Sequence, residues 1–248
     1  MYDIRGEYVR LVGDTIDYIK TGVRSTTTEP SGSTARTGPK GPTPPKDKIL
    51  TGLVKEVLQC TRCGLHRGRL NAVPGEGSID ADILFIGEGP GKMEDIKGMP
   101  FVGKAGQLLT KMLAAIDLTR EEVYITNVVK CRPPENRTPL PEEIEQCLPF
   151  LQKQIAFIDP LVICCLGGPA AGTVLGLGAG ITKLRGTIHR YMPPEDSGSN
   201  SAGSSHGVPV VATYHPAAVL RFPEKYKRSV WNDLKLLRDF YRDISEKR

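Results

Sequence analysis

The sequence predicts an α/β fold: a central, mostly parallel four-stranded sheet with helices on both of its faces. Two observations carry this. Four short apolar runs, Asp82–Gly87, Val123–Asn127, Leu161–Leu166 and Val208–Thr213, have the length and unbroken hydrophobicity of strands covered on both sides. Helical periodicity fills the intervals at about 103–116, 141–158 and 169–176, and a last amphipathic helix spans Pro223–Ser245. Strand alternating with helix is the pattern of parallel strands joined by crossover helices.

Ahead of these elements, apolar Ile4, Tyr8, Leu11, Val12, Ile16 and Ile19 fall at the spacing of one amphipathic helix over residues 1–20. Residues 21–47 turn to Thr, Gly, Ser and Pro, a composition that buries too little apolar surface to offset its ordering entropy, and read as a flexible linker. The compact domain is then residues 48–248, interrupted by a second polar stretch at Pro193–Gly207 that reads as a surface loop. No internal repeat is visible.

The chain has 248 residues, 39% of them hydrophobic, a net charge of +5 and a pI near 8.8. That balance permits a nucleic-acid partner without demanding one. No run reaches the roughly 18 apolar residues of a membrane span. The N-terminus carries acids and lacks the apolar stretch of a secretory signal, so an intracellular protein is expected. Six cysteines in a reducing compartment are expected to be ligands or core thiols rather than disulfides.

In parallel sheets, ligands bind beyond the carboxyl ends of the strands. The residues just past those ends are Gly87-Glu88-Gly89-Pro90-Gly91, Asn127, Gly167-Gly168 and His215-Pro216. Three of the four turns carry a side chain capable of chemistry; the Gly167-Gly168 turn offers only backbone room. The first turn has neither P-loop nor dinucleotide-fingerprint spacing. Each polar residue also has a plainer reading: Glu88 as a helix-capping carboxylate, Asn127 as a turn residue, His215 as a buried structural group.

Cys60 and Cys63 form a CxxC pair; Cys131 follows the second strand, and Cys147 lies sixteen residues further on. Four thiolates suit a zinc ion or a [4Fe–4S] cluster, and the spacing leaves both open. Cys164 and Cys165 sit within an apolar strand and read as core packing. Arg62, His66, Arg67 and Arg69 near the first pair, and Lys130, Arg132 and Arg137 near the third cysteine, could balance an anionic cluster or face phosphates.

Three segments are more distinctive: GEGPGKMEDIKGMPFVGKAGQLL (Gly87–Leu109), YITNVVKCRPPENRTP (Tyr124–Pro139) and YHPAAVLR (Tyr214–Arg221). With the four cysteines they resemble the family 4 uracil-DNA glycosylases, the iron–sulfur branch of that superfamily, over roughly residues 49–242. The resemblance implies a three-layer α/β/α sandwich, with residues 48–248 as the glycosylase domain. It implies a structural [4Fe–4S] cluster on Cys60, Cys63, Cys131 and Cys147. The implied activity is base excision repair: uracil is flipped out of DNA and its N-glycosidic bond hydrolysed, leaving an abasic site. By similarity Glu88 positions the attacking water, Asn127 pairs with uracil N3–H and O4, and His215 donates to O2 of the departing anion. Phe101 stacks on the base, Gly87 and Gly89 give it room, and Glu94 blocks the 5-methyl group of thymine. Val219 or Leu220 is the wedge that enters the duplex, with Arg221 on a phosphate.

No lysine in these motifs is placed for Schiff-base chemistry, so a monofunctional hydrolase is expected. The partner is uracil-containing DNA, met by a monomer in a prokaryotic cytoplasm close to the nucleoid, with no membrane. Two alternatives stand beside this reading. One is a non-catalytic iron–sulfur module that traps uracil-DNA; the trapping relatives carry an Arg/His-rich loop where this chain has CRPPENRTP without histidine. The other is a zinc-stabilised nucleotide-binding domain unrelated to repair.

Overall fold

A computed structural model of the chain describes residues 46–194 and 207–247. All of them belong to one compact unit, Pro44–Arg248. The expected N-terminal helix, the linker as far as residue 45 and most of the 193–207 loop lie outside the described residues.

The chain opens with helix α1 (Lys46–Leu58), which takes in the last two residues read as linker. A short 3₁₀ turn (Gly64–Arg67) and a two-residue strand β1 (Glu76–Gly77) lead to β2 (Ile83–Gly87), α2 (Lys92–Lys97), α3 (Lys104–Ala114) and β3 (Tyr124–Asn127). A 3₁₀ turn at Pro134–Asn136 precedes α4 (Pro141–Ile158), β4 (Val162–Leu166), α5 (Gly168–Leu175) and α6 (Ile181–Leu184). Then come β5 (Ile188–Tyr191), β6 (Val208–Thr213), α7 (Pro216–Arg221) and α8 (Pro223–Ser245).

Among the described residues the sheet has six strands in the order β1-β3-β2-β4-β6-β5, where four were expected. The expected four are its parallel centre, and the two additions are antiparallel edges. The edges escaped a hydrophobicity reading for a physical reason. β1 is two residues long, and β5 exposes Ile188 and Arg190 while half-burying His189 and burying Tyr191, as a solvent-facing edge does.

The central strands read as unbroken apolar runs because both faces are covered. Leu84 and Ile86 of β2, Ile163 and Cys165 of β4, and Val210 and Ala212 of β6 pack under α1, α4, α5 and α6. The intervening residues, Ile83, Phe85, Val162, Cys164, Leu166 and Val211, pack under α3, α7 and α8. Period-2 alternation thus divides the apolar side chains into two cores, giving a three-layer α/β/α sandwich. Cys164 and Cys165 are fully buried, one in each core, as expected of packing thiols. Among the described residues no helix is long and apolar enough to cross a membrane.

Candidate active site

The four parallel strands end on one side of the sheet, and β2 lies between β3 and β4, so the chain path reverses direction on either side of it. The register places Gly87 opposite Asn127. Backbone pairing continues past the strands: Val128 N–H donates to Gly87 O (2.9 Å) and Val129 N–H to Glu88 O (3.1 Å), so the turn bearing Glu88 is fixed to the segment bearing Asn127. A Cβ on Gly87 would overlap Asn127 Oδ1 and stand 2.6 Å from Phe101 Cζ, which makes glycine the residue that lets amide and ring approach. Gly167 (φ 98°) supplies the room expected of the Gly167-Gly168 turn: a Cβ there would press to 3.2 Å on His215 Cβ.

These turns enclose a cavity of about 340 Å³, whose walls include Glu88, Gly89, Glu94, Phe101, Asn127 and His215. Gly87 lies behind it as a clearance residue. The acid, the amide and the imidazole expected from separate turns therefore meet at one cavity. The far wall comes from the loop after β3, through Pro133, Asn136, Arg137 and Pro139.

Burial raises the Glu88 carboxyl above its ordinary range, against a hydrogen bond from Thr138 that lowers it. His215 caps α7, with Ala217 N–H donating to Nδ1 (3.1 Å). A backbone N–H can only donate, so Nδ1 is the acceptor and the neutral ring carries its proton on Nε2. Burial lowers the His215 pKa to about 4, and the Glu94 carboxylate opposes this only in part. Near neutral pH the ring is therefore an uncharged donor. Asn127 is 1% exposed, and its Oδ1 is buried with no hydrogen-bond partner. Phe101 lies against His215, with ring centroids 5.6 Å apart.

Glu94 lines the cavity and is also held from below: its Oε1 accepts from Val102 N–H (2.9 Å) and Gly103 N–H (2.8 Å). Of the wedge candidates, Val219 faces inward and is buried at 7% exposure in the core beneath α7, so it is not free to enter a duplex. Leu220 is 49% exposed, beside exposed Arg221. Helical rotation explains the split, since successive residues on α7 differ by about 100° in direction.

Among the described residues no three His, Cys, Asp or Glu side chains are grouped so as to hold a metal ion. Cys60, Cys63, Cys131 and Cys147 nevertheless line one small cavity together with Val57, Arg62, His66 and Phe150. Arg69 Nη1 donates to Cys131 Sγ (3.1 Å), and Lys130 N–H to Cys147 Sγ (3.3 Å).

Two residues of the site were missed or misread in the sequence. Arg137, grouped with the basic residues near Cys131, lines the active cavity and pairs with Glu143 through Nη1 and Nη2 (2.8 and 2.7 Å). Lys130 reads as a charge near the cysteines but is 1% exposed, with Nζ donating to Thr126 Oγ1 (2.7 Å), Asn127 O (2.6 Å) and Gln154 Oε1 (2.6 Å). Its ammonium thus supports the amide strand from behind, and burial lowers its pKa to about 8. No sequence signal separates a buried lysine from a surface one.

This sandwich, with its site at the carboxyl ends of the strands, belongs to the uracil DNA glycosylase superfamily, whose family profile matches residues 74–235. The similarity narrows further. A type-4 uracil-DNA glycosylase of Archaeoglobus fulgidus is 48% identical over 179 residues, 71% of this chain and 85% of that protein. One from Thermotoga maritima is 42% identical over 197 residues, 79% of this chain and 96% of that protein. A third, from Pyrobaculum aerophilum, is 46% identical over 176 residues, 70% and 86% of the two chains. The type-4 branch is thus where this chain lies.

Proposed function

We propose that this protein is a monofunctional uracil-DNA glycosylase that hydrolyses the bond between uracil and deoxyribose and leaves an abasic site for base excision repair. The observation that carries the reading is the buried, unpartnered Oδ1 of Asn127 in a cavity that also holds a neutral imidazole donor and a carboxylate raised by burial. Uracil supplies what the amide lacks: its N3–H donates to Oδ1, and its O4 accepts from Nδ2. Cytosine presents an acceptor at N3 and a donor at C4, the reverse pattern.

The flipped base stacks on Phe101. As the C1′–N1 bond breaks, its electron pair moves onto uracil, and His215 Nε2–H hydrogen-bonds the growing charge on O2. Glu88 orients a water beneath C1′, stabilises the cationic sugar, and accepts the water's proton as the new C1′–O bond forms. The uracil anion then leaves and is protonated by solvent. Glu94, fixed by the Val102 and Gly103 amides, is the wall that the methyl group of thymine would strike. Leu220 is the wedge and Arg221 the phosphate contact. One chain supplies every one of these groups, which suits a monomer.

The four thiols fit a [4Fe–4S] cluster. All four cysteines line one cavity, the arrangement that a cluster held by four thiolates needs. Arg69 and the Lys130 amide supply N–H···S bonds that stabilise thiolate charge. When bound, the cluster serves as a structural cross-link between the segments carrying these cysteines. The setting of such a repair enzyme is the prokaryotic cytoplasm, at the nucleoid.

The test is an end-labelled oligonucleotide with one uracil, incubated with the protein and then treated with alkali. Cleavage at the uracil position is expected. An uncut strand held in a shifted complex would instead support the non-catalytic binding module.

A further inference from the structure

Phe101 has a left-handed backbone conformation (φ 51°), unfavourable for a bulky side chain, so its surroundings must hold it there. The Arg120 guanidinium lies on one side of the loop. Its Nη1 donates to Phe101 O (3.1 Å) and its Nη2 to Pro100 O (2.8 Å). The same guanidinium is seated by Glu76 of β1, with Nε and Nη2 donating to Oε1 at 3.2 and 3.0 Å. Both side chains are largely buried, at 16% exposure for Arg120 and 28% for Glu76. On the other side Glu94 takes the next two backbone N–H groups, those of Val102 and Gly103. Gly106, in the first turn of α3, completes the clamp: a Cβ there would overlap the Phe101 carbonyl. Four consecutive residues, 100–103, are thus pinned from two directions, and the ring between the pins lies beside His215 in the cavity wall.

We propose that Arg120, seated by Glu76, is a positioning residue that holds Phe101 in its strained backbone conformation and so presents the ring to the flipped base. This gives the short edge strand β1 a purpose: it carries the carboxylate that orients the guanidinium. The proposal rests on the assignment of Phe101 as the stacking platform. It adds a requirement outside the cavity, since Arg120 touches no base.

The experiment is a double-mutant cycle on the full-length protein, reading single-turnover excision from a single-stranded uracil oligonucleotide well below the melting temperature of every variant. Phe101→Leu and Arg120→Met should each slow excision by about tenfold. The double variant should be no slower than Phe101→Leu alone, because a residue acting through the ring has nothing left to position. Arg120→Lys, which keeps the charge and one carbonyl contact, should recover much of the rate. An arginine that merely stabilised the fold would lower the melting temperature but show no such non-additivity.

If Phe101→Leu is slow and Arg120→Met runs at the wild-type rate, the clamp falls and the stacking assignment stands. If Phe101→Leu itself runs at the wild-type rate, the stacking assignment falls and the clamp with it. Losses that multiply to about a hundredfold in the double variant would place Arg120 on a separate path and overturn the proposal. Should Arg120→Met fail to fold, Glu76→Gln replaces it in the cycle. It keeps the shape of Glu76 and removes the charge that seats the guanidinium, and the same non-additivity is expected.

Discussion

A buried carbonyl oxygen without a donor costs about 1–3 kcal/mol, and Asn127 Oδ1 is such an atom. The cost is recovered when a ligand brings an N–H, and in the proposed role the amide thereby selects the base that has one. Asn127→Ala should slow single-turnover excision by at least about tenfold, the worth of one such hydrogen bond. The ionisable pair beside it makes a pH prediction. In the proposed role Glu88 must be ionised to orient and deprotonate water, and burial raises its pKa. The excision rate should therefore fall on the acid side at a pH above the ordinary carboxylate range, and Glu88→Gln should remove that limb along with most of the rate. His215 stays neutral through this range, because its pKa lies at about 4 rather than 6.5. That depression makes the fold most stable above pH 6.5 and less stable as the pH falls from 6.5 to about 4, where the unfolded ring takes up a proton that the folded ring does not; below about 4 both are protonated and the loss is complete.

At the scale of elements, His215 is held by a strand end. Thr213 Oγ1, two residues before His215, donates to Asp233 Oδ2 of α8 (2.7 Å), and Arg185 pairs with the same carboxylate at 3.0 and 2.7 Å. Asp233 is 1% exposed. Asp233→Ala should destabilise the fold by about 3 kcal/mol in urea unfolding, the low end for breaking a buried pair because Arg185 retains some solvent contact. Helix α7 adds a directional consequence. It buries Val219 and exposes Leu220, so Leu220→Ala should slow excision from duplex DNA more than from single strands, where no stacked partner has to be displaced. Equal losses on both substrates would remove the wedge role. None of this is visible in the YHPAAVLR segment, which offers Val219 and Leu220 as equal apolar candidates; only packing against α8 and the sheet separates them.

Across the whole molecule, the cysteine cavity and the active cavity are joined by one short run of backbone. Asn127 lines the active cavity, Val128 and Val129 hold the Glu88 turn, Lys130 N–H bonds Cys147 Sγ, and Cys131 is the next residue. Purified protein should show iron–sulfide charge-transfer absorption, with iron and acid-labile sulfide in equal amounts, and Cys147→Ser should diminish both. The same variant should lower the melting temperature, since the cross-link between distant segments would be weakened. A colourless wild-type protein holding stoichiometric zinc would contradict the cluster assignment.

The sequence by itself determined the three-layer plan, the four central strands within a residue at their starts, and the residues at the strand ends where chemistry sits. Those features are local: apolar runs, helical periodicity and short motifs are written in neighbouring residues. The tertiary structure decided what depends on distant parts of the chain meeting. It added the edge strands β1 and β5, too short and polar to announce themselves. It turned Val219 inward, set the Nε2 proton of His215, buried Lys130 behind Asn127, and brought Glu76 and Arg120 onto the loop of Phe101. Burial and hydrogen-bond partnership are properties of a side chain's three-dimensional neighbours, and a linear pattern does not contain them.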